Sequence, residues 1–195
     1  CERAIHLKFA RNQVWFRLGL VDPARGQAGA GSGRAAHALM DTALARALHV
    51  LGVVIWIGGV SMATTVALPA IRRGALGADR LQAFQTFEGR FVWQARAAVI
   101  VVGLTGFYMI ERFGIWWRFG DGHYWWMHAM VGVWTLFMLL LFVGEPFVLH
   151  RYFPLWAQRH PERAFAALYY VHVALLVLSV VTVLGATAGS HGWLP

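Results

Sequence analysis

Charged residues are scarce in this sequence, and cysteine is nearly absent. Asp, Glu, Lys and Arg make up 13% of the 195 residues, against 58% apolar. A soluble domain of this length has no single core large enough to hide that much apolar surface. The lone cysteine, Cys1, excludes an internal disulfide, a cysteine zinc cluster and an iron–sulfur site made by this chain alone. There is no phosphate-binding glycine loop, no nucleophile–base arrangement and no soluble catalytic domain, so hydrolytic and nucleotide-driven functions find no footing. The formal net charge of +8 divides evenly, +4 over residues 1–39 and +4 over 40–195. In the second part the arginines sit mostly at the ends of apolar runs, as membrane flanks do. A nucleic-acid surface would interleave them with aromatics on one face. That pattern is missing, so the expected partner is the lipid bilayer and not nucleic acid.

What is present is a set of long apolar stretches. Four of them reach the ~20 residues that a bilayer requires. They run over about 44–71, 91–110, 124–149 and 164–186. The sequence therefore predicts an all-α fold, a four-helix transmembrane bundle of up-down topology over residues 40–195. Residues 1–39 differ. The Gly/Ala/Arg-rich stretch 24–38 has no apolar period and is expected to be disordered. No signal-peptide pattern occurs there either. Met40 directly precedes a credible helix start, so 1–39 is read as a disordered basic arm or an upstream non-native extension. A lipid-anchored Cys1 is a lesser alternative.

Arginine bias gives the orientation. Arg72, Arg73, Arg80 and Arg90 follow the first stretch, and Arg151, Arg159 and Arg163 follow the third. The opposite side holds Arg46, Arg112 and Arg118. By the positive-inside rule the seven-arginine side is cytoplasmic, and both termini of the 40–195 unit are periplasmic. Trp116, Trp117, Trp125 and Trp126 then read as a periplasmic aromatic belt.

The polar residues inside the stretches carry the functional argument, because ionisable groups at membrane depth are expensive and tend to mark sites. His49 and His128 lie about five and four residues inside the periplasmic ends of the first and third stretches, at nearly equal depth for a rise of ~1.5 Å per residue. Two level imidazoles on different helices suit one metal ion or the two faces of a haem iron. Met109, Met127 and Met130 fall in the same layer, and thioether with imidazole suits copper, above all Cu(I). The same residues also suit a plainer role, with each histidine bonded to a carbonyl or headgroup and the methionines as packing. Towards the other end, Arg96, Glu145 and His172 form a buried polar cluster whose depths permit an Arg96–Glu145 ion pair. His172 is a candidate proton carrier or ligand, too far from His49 in depth to share its metal. His150, His160 and His191 receive no role. Gly52, Gly59 and Ala63 on one helix face, and Gly103 and Gly106 on another, let helices approach closely.

The segment Leu48–Pro69, with its histidine followed by Trp56-Ile57-Gly58-Gly59 and a proline near the end, resembles the first helix of small CopD-like (copper-resistance D domain) membrane proteins. Gly89–Met109, with its Arg-Phe start and Thr-Gly towards the end, is similar to that family's second helix. His128 matches the early histidine of its third helix, and the VTVLGATAGSHGW ending resembles its small-residue terminus. Helices with W-x-G-G also occur in HemJ-type protoporphyrinogen oxidases, which have a similar layout and bind haem. The resemblance covers 40–195. It implies a multi-pass protein of the bacterial inner membrane, more a binding or transport protein than an enzyme, that binds or passes copper at a periplasmic layer of His49, His128, Met109 and Met130. It also implies a periplasmic copper carrier or redox partner, and a homo-oligomer is compatible with it. The alternatives are a haem b oxidoreductase or small b-type cytochrome with His49 and His128 as axial ligands, and a ligand-free structural or assembly protein.

Overall fold

The computed structural model describes residues 23–77 and 79–193, with side chains given from 37 onwards except for residue 38. The chain divides into two units, Cys1–Leu44 and Ala45–Pro195. In the first, the backbone is helical from Pro23 onwards, within a helix that runs over Pro23–Met62. Segment 24–38, expected to be disordered, is therefore helical, while the rest of the proposed arm, 1–22, lies outside the described residues. Extending an existing helix needs no new nucleus, and the six alanines of 24–38 offset its four glycines. Pro23 stands at the first helical position, where its missing N–H costs nothing.

No strand occurs among the described residues, and four helices are long and apolar enough to cross a bilayer. They span Leu39–Arg72, Arg80–Phe113, Gly122–Arg159 and Pro161–Ser190. Each outruns the apolar stretch read from the sequence, because helical geometry continues through the polar flanks once started. At most 33% of each apolar window is buried by the protein itself, and in the third and fourth helices only 17%. Leu104, Val54 and Leu184 stand 69, 62 and 64% exposed. In water such a surface would be intolerable, whereas lipid solvates it. The chain is accordingly built as a multi-pass membrane protein.

Within the Ala45–Pro195 unit, two apolar clusters hold the helices together. In one, Leu68 and Ile71 from the end of the first helix meet Phe84, Phe153, Phe165 and Leu168. In the other, Trp56 and Val60 meet Val99, Val102, Val133 and Phe137, with the Trp56 ring edge-on to Phe137 at 4.8 Å. The second helix has clear signals at both ends. The Asp79 carboxylate accepts from the amides of Leu81 and Gln82, and Gly114 closes it in the left-handed conformation at φ 62°. Close approach comes from small residues: a Cβ on Gly103 would lie 2.5 Å from the Trp134 ring, and one on Gly189 only 2.3 Å from Trp126. Trp126 is thus 6% exposed and a packing residue, not part of the expected interfacial belt. Trp116, Trp117 and Trp125 are exposed.

The third helix is not α throughout. Residues Leu140–Tyr152 form a wide helix with i→i+5 bonding that contains Pro146, and a shorter wide segment, Ala63–Ala67, precedes Pro69 in the first helix. A proline lacks the N–H that a helical carbonyl expects, and wide turns are one way helices absorb this. In the first helix the hydroxyls of Thr64 and Thr65 donate to the carbonyls of Val60 and Ser61, so local backbone acceptors are satisfied without water.

Candidate functional site

The wide helix sets up the more elaborate of two polar layers. In i→i+5 geometry the N–H at 146 would reach the carbonyl of Leu141, but residue 146 is proline. The orphaned Leu141 oxygen is taken by Arg96 of the second helix, whose Nε and Nη2 donate to it at 3.1 and 2.9 Å. Nη2 also donates to Glu145 Oε2 at 2.6 Å. One guanidinium therefore completes a broken helix and neutralises a buried carboxylate. Its planar fork, 5.3 Å from the centroids of both the Trp93 and the Phe142 rings, suits both tasks.

The second Glu145 oxygen, Oε1, lies 3.0 Å from Nδ1 of His150. In an α-helix, residues five apart point about 140° away from each other. The wide turn instead stacks residue 150 over residue 145. Glu88, one helix away, completes the group: one ligand atom each from Glu88, Glu145 and His150 lie within 4.8 Å of one another. Glu88 and Glu145 are each 8% exposed, and Glu88 Oε1 has no hydrogen-bond partner among the described residues. Two carboxylates, one imidazole and one guanidinium thus meet, the carboxylates buried and the imidazole exposed. His172, expected near this group, bonds through Nδ1 to the carbonyl of Leu168 in its own helix at 2.9 Å, a contact that does not join it to the ion pair.

The other layer is simpler. His49 is half-buried, and its Nδ1–H reaches the Val102 carbonyl at 3.0 Å and Thr105 Oγ1 at 3.1 Å, both on the second helix. Its ring rests on Gly106, where a Cβ would come within 3.2 Å of Cε1. Because a carbonyl only accepts, Nδ1 carries the hydrogen and Nε2 keeps its lone pair. His128 is exposed; its Nε2–H donates to the Phe119 carbonyl at 3.1 Å, and the two rings meet edge-on at 5.3 Å. No hydrogen bond joins the two histidines among the described residues. Met109 is half-buried, Met127 is buried at 5% exposure, and Met130 is exposed at 37%. Met109 lies one turn beyond Thr105, on the side of the second helix that His49 touches.

Matched depth, then, is enough to find Arg96 and Glu145, which the structure brings together, but it misses Glu88 and His150. Glu88 carries a signal: it stands on the step pattern Phe84, Glu88, Val92, Ala95, Val99, the buried face of the second helix. An acidic residue on an apolar face is a site candidate. His150 carries none, because its partner is visible only once the helix is known to widen. No family model matches this chain, and no curated protein or solved structure does.

Proposed function

We propose that this chain is a CopD-like multi-pass protein of the bacterial inner membrane that binds or passes copper at its His49 end. The observation that carries the reading is the posture of His49. A metal-binding imidazole typically donates its other N–H to a carbonyl, which fixes the ring and leaves one nitrogen as ligand. His49 has this arrangement through Val102, with Nε2 available and Met109 one turn from its hydroxyl partner. Imidazole and thioether together favour Cu(I). His128, on the third helix and bonded through Nε2–H to the Phe119 carbonyl, is the second candidate ligand. The arginine distribution supports placing this end in the periplasm, where a copper carrier or redox partner would meet it.

The experiment is a visible spectrum and metal analysis of the purified protein, native and with His49→Ala or His128→Ala, after supply of both copper and haem. Stoichiometric copper that falls away in His49→Ala is the expected result. A Soret band lost in both variants would instead make this a haem b protein with two axial histidines. Absence of both ligands would leave the histidines structural and overturn the proposal.

A further inference from the structure

We propose a second metal site, at the opposite polar layer, in which Glu88, Glu145 and His150 hold one divalent cation of the Mn²⁺, Fe²⁺ or Zn²⁺ class. The inference is independent of the copper reading, since it shares no residue with it. Three ligand atoms within 4.8 Å of one another are close enough to bind a single ion with little rearrangement. Acidic residues that gather near a surface usually do so without a metal, so the decisive observation is Glu88. It is 8% exposed, faces this cluster, and its buried Oε1 has no donor among the described residues. Burying a carboxylate oxygen without a partner is costly and calls for a specific reason. Arg96, the only guanidinium in the cluster, is already committed to Glu145 Oε2 and the Leu141 carbonyl. The two carboxylates therefore exceed the fixed positive charge by one, and a bound cation would both offset that excess and give Glu88 Oε1 its missing partner.

The donor set decides the class of ion. Two carboxylates and an imidazole, with no sulfur, disfavour Cu(I) and suit borderline divalent metals. Three protein ligands leave coordination positions open, as in sites that exchange water or substrate. Access is provided at His150, whose side chain is 61% exposed while that of Glu145 is 9% exposed. Arg96 then acts as a positioning residue: it fixes the Glu145 carboxylate through Oε2 and leaves Oε1 directed to His150 and the ion. The wide helix is also required, because α geometry would turn His150 away from Glu145.

The test uses the full chain in detergent, stripped with chelator and titrated with Mn²⁺ followed by electron paramagnetic resonance, and with Co²⁺ followed by its visible d–d bands. One ion per chain is expected, with affinity reduced at least about tenfold in Glu88→Gln and in His150→Ala, since even loss of an outer partner costs that much at metal sites. Glu88→Gln removes no existing bond and keeps the side-chain shape, so its melting curve without metal should match or exceed that of the native protein. His49→Ala should leave Mn²⁺ binding unchanged. Failure of the native protein to bind Mn²⁺ or Co²⁺, or undiminished binding in Glu88→Gln, would overturn the proposal.

Discussion

The two polar layers of this bundle solve the same problem in different ways. Around Arg96 and Glu145, side chains from two helices answer one another as charges. Around His49 and His128, each imidazole settles separately on a backbone carbonyl. An ionised group in low dielectric has to find an opposite charge, whereas a neutral imidazole needs only one acceptor. The first layer is therefore tightly interdependent, and the second leaves each histidine with an unused nitrogen. One layer couples charges across helices; the other leaves its histidines uncoupled.

The largest effect expected is all-or-none and decides which layer faces which compartment. A reporter after Pro195 should read periplasmic and one near Arg80 cytoplasmic. The reverse result would put the His49 layer in the cytoplasm and remove the basis for a periplasmic copper role. Next comes the interdependence of the charged layer. Arg96→Ala strands the Glu145 carboxylate and the Leu141 carbonyl together, and should cost about 3–5 kcal/mol, read as a large drop in melting temperature in detergent. Glu145→Ala should cost less, because Arg96 keeps Leu141, and the double variant should cost less than the sum of the singles. Strict additivity would show that the two groups do not couple. Restoring an N–H by Pro146→Ala should recover part of the Arg96→Ala loss.

Packing between helices should follow. Gly103→Val drives a methyl group into the Trp134 ring and should destabilise by roughly 1–3 kcal/mol, with Trp134→Ala in the same chain restoring space. An unaffected Gly103→Val melting curve would mean the helices are further apart than described. Smallest is His128→Ala, which removes one exposed hydrogen bond and should change stability by only about 0.5–1.5 kcal/mol at most. A loss comparable to that of Arg96→Ala would erase the contrast between the layers.

The legibility of this molecule in its sequence follows the same division. Apolar length alone marks the four long helices, since a bilayer imposes it. Depth counting on a 1.5 Å rise still pairs Arg96 with Glu145, although Glu145 lies in the wide segment, because a few residues of altered rise move depth little. Facing is what the wide turn around Pro146 changes, so His150 is hidden. Trp126 reads as a belt residue because its burial against Gly189 joins positions far apart in the chain. Segment 24–38 reads as disordered because composition carries no trace of the helix it adjoins.

Copper at the His49 layer and a divalent ion at the Glu88 layer can be tested in one experiment. Full-length protein, native or carrying His49→Ala or Glu88→Gln, is supplied with Cu(I) and Mn²⁺ together, desalted and analysed for both metals. Reciprocal loss is expected: His49→Ala loses copper and keeps manganese, while Glu88→Gln loses manganese and keeps copper. Parallel loss of both metals in either variant, or no loss in both, would contradict it.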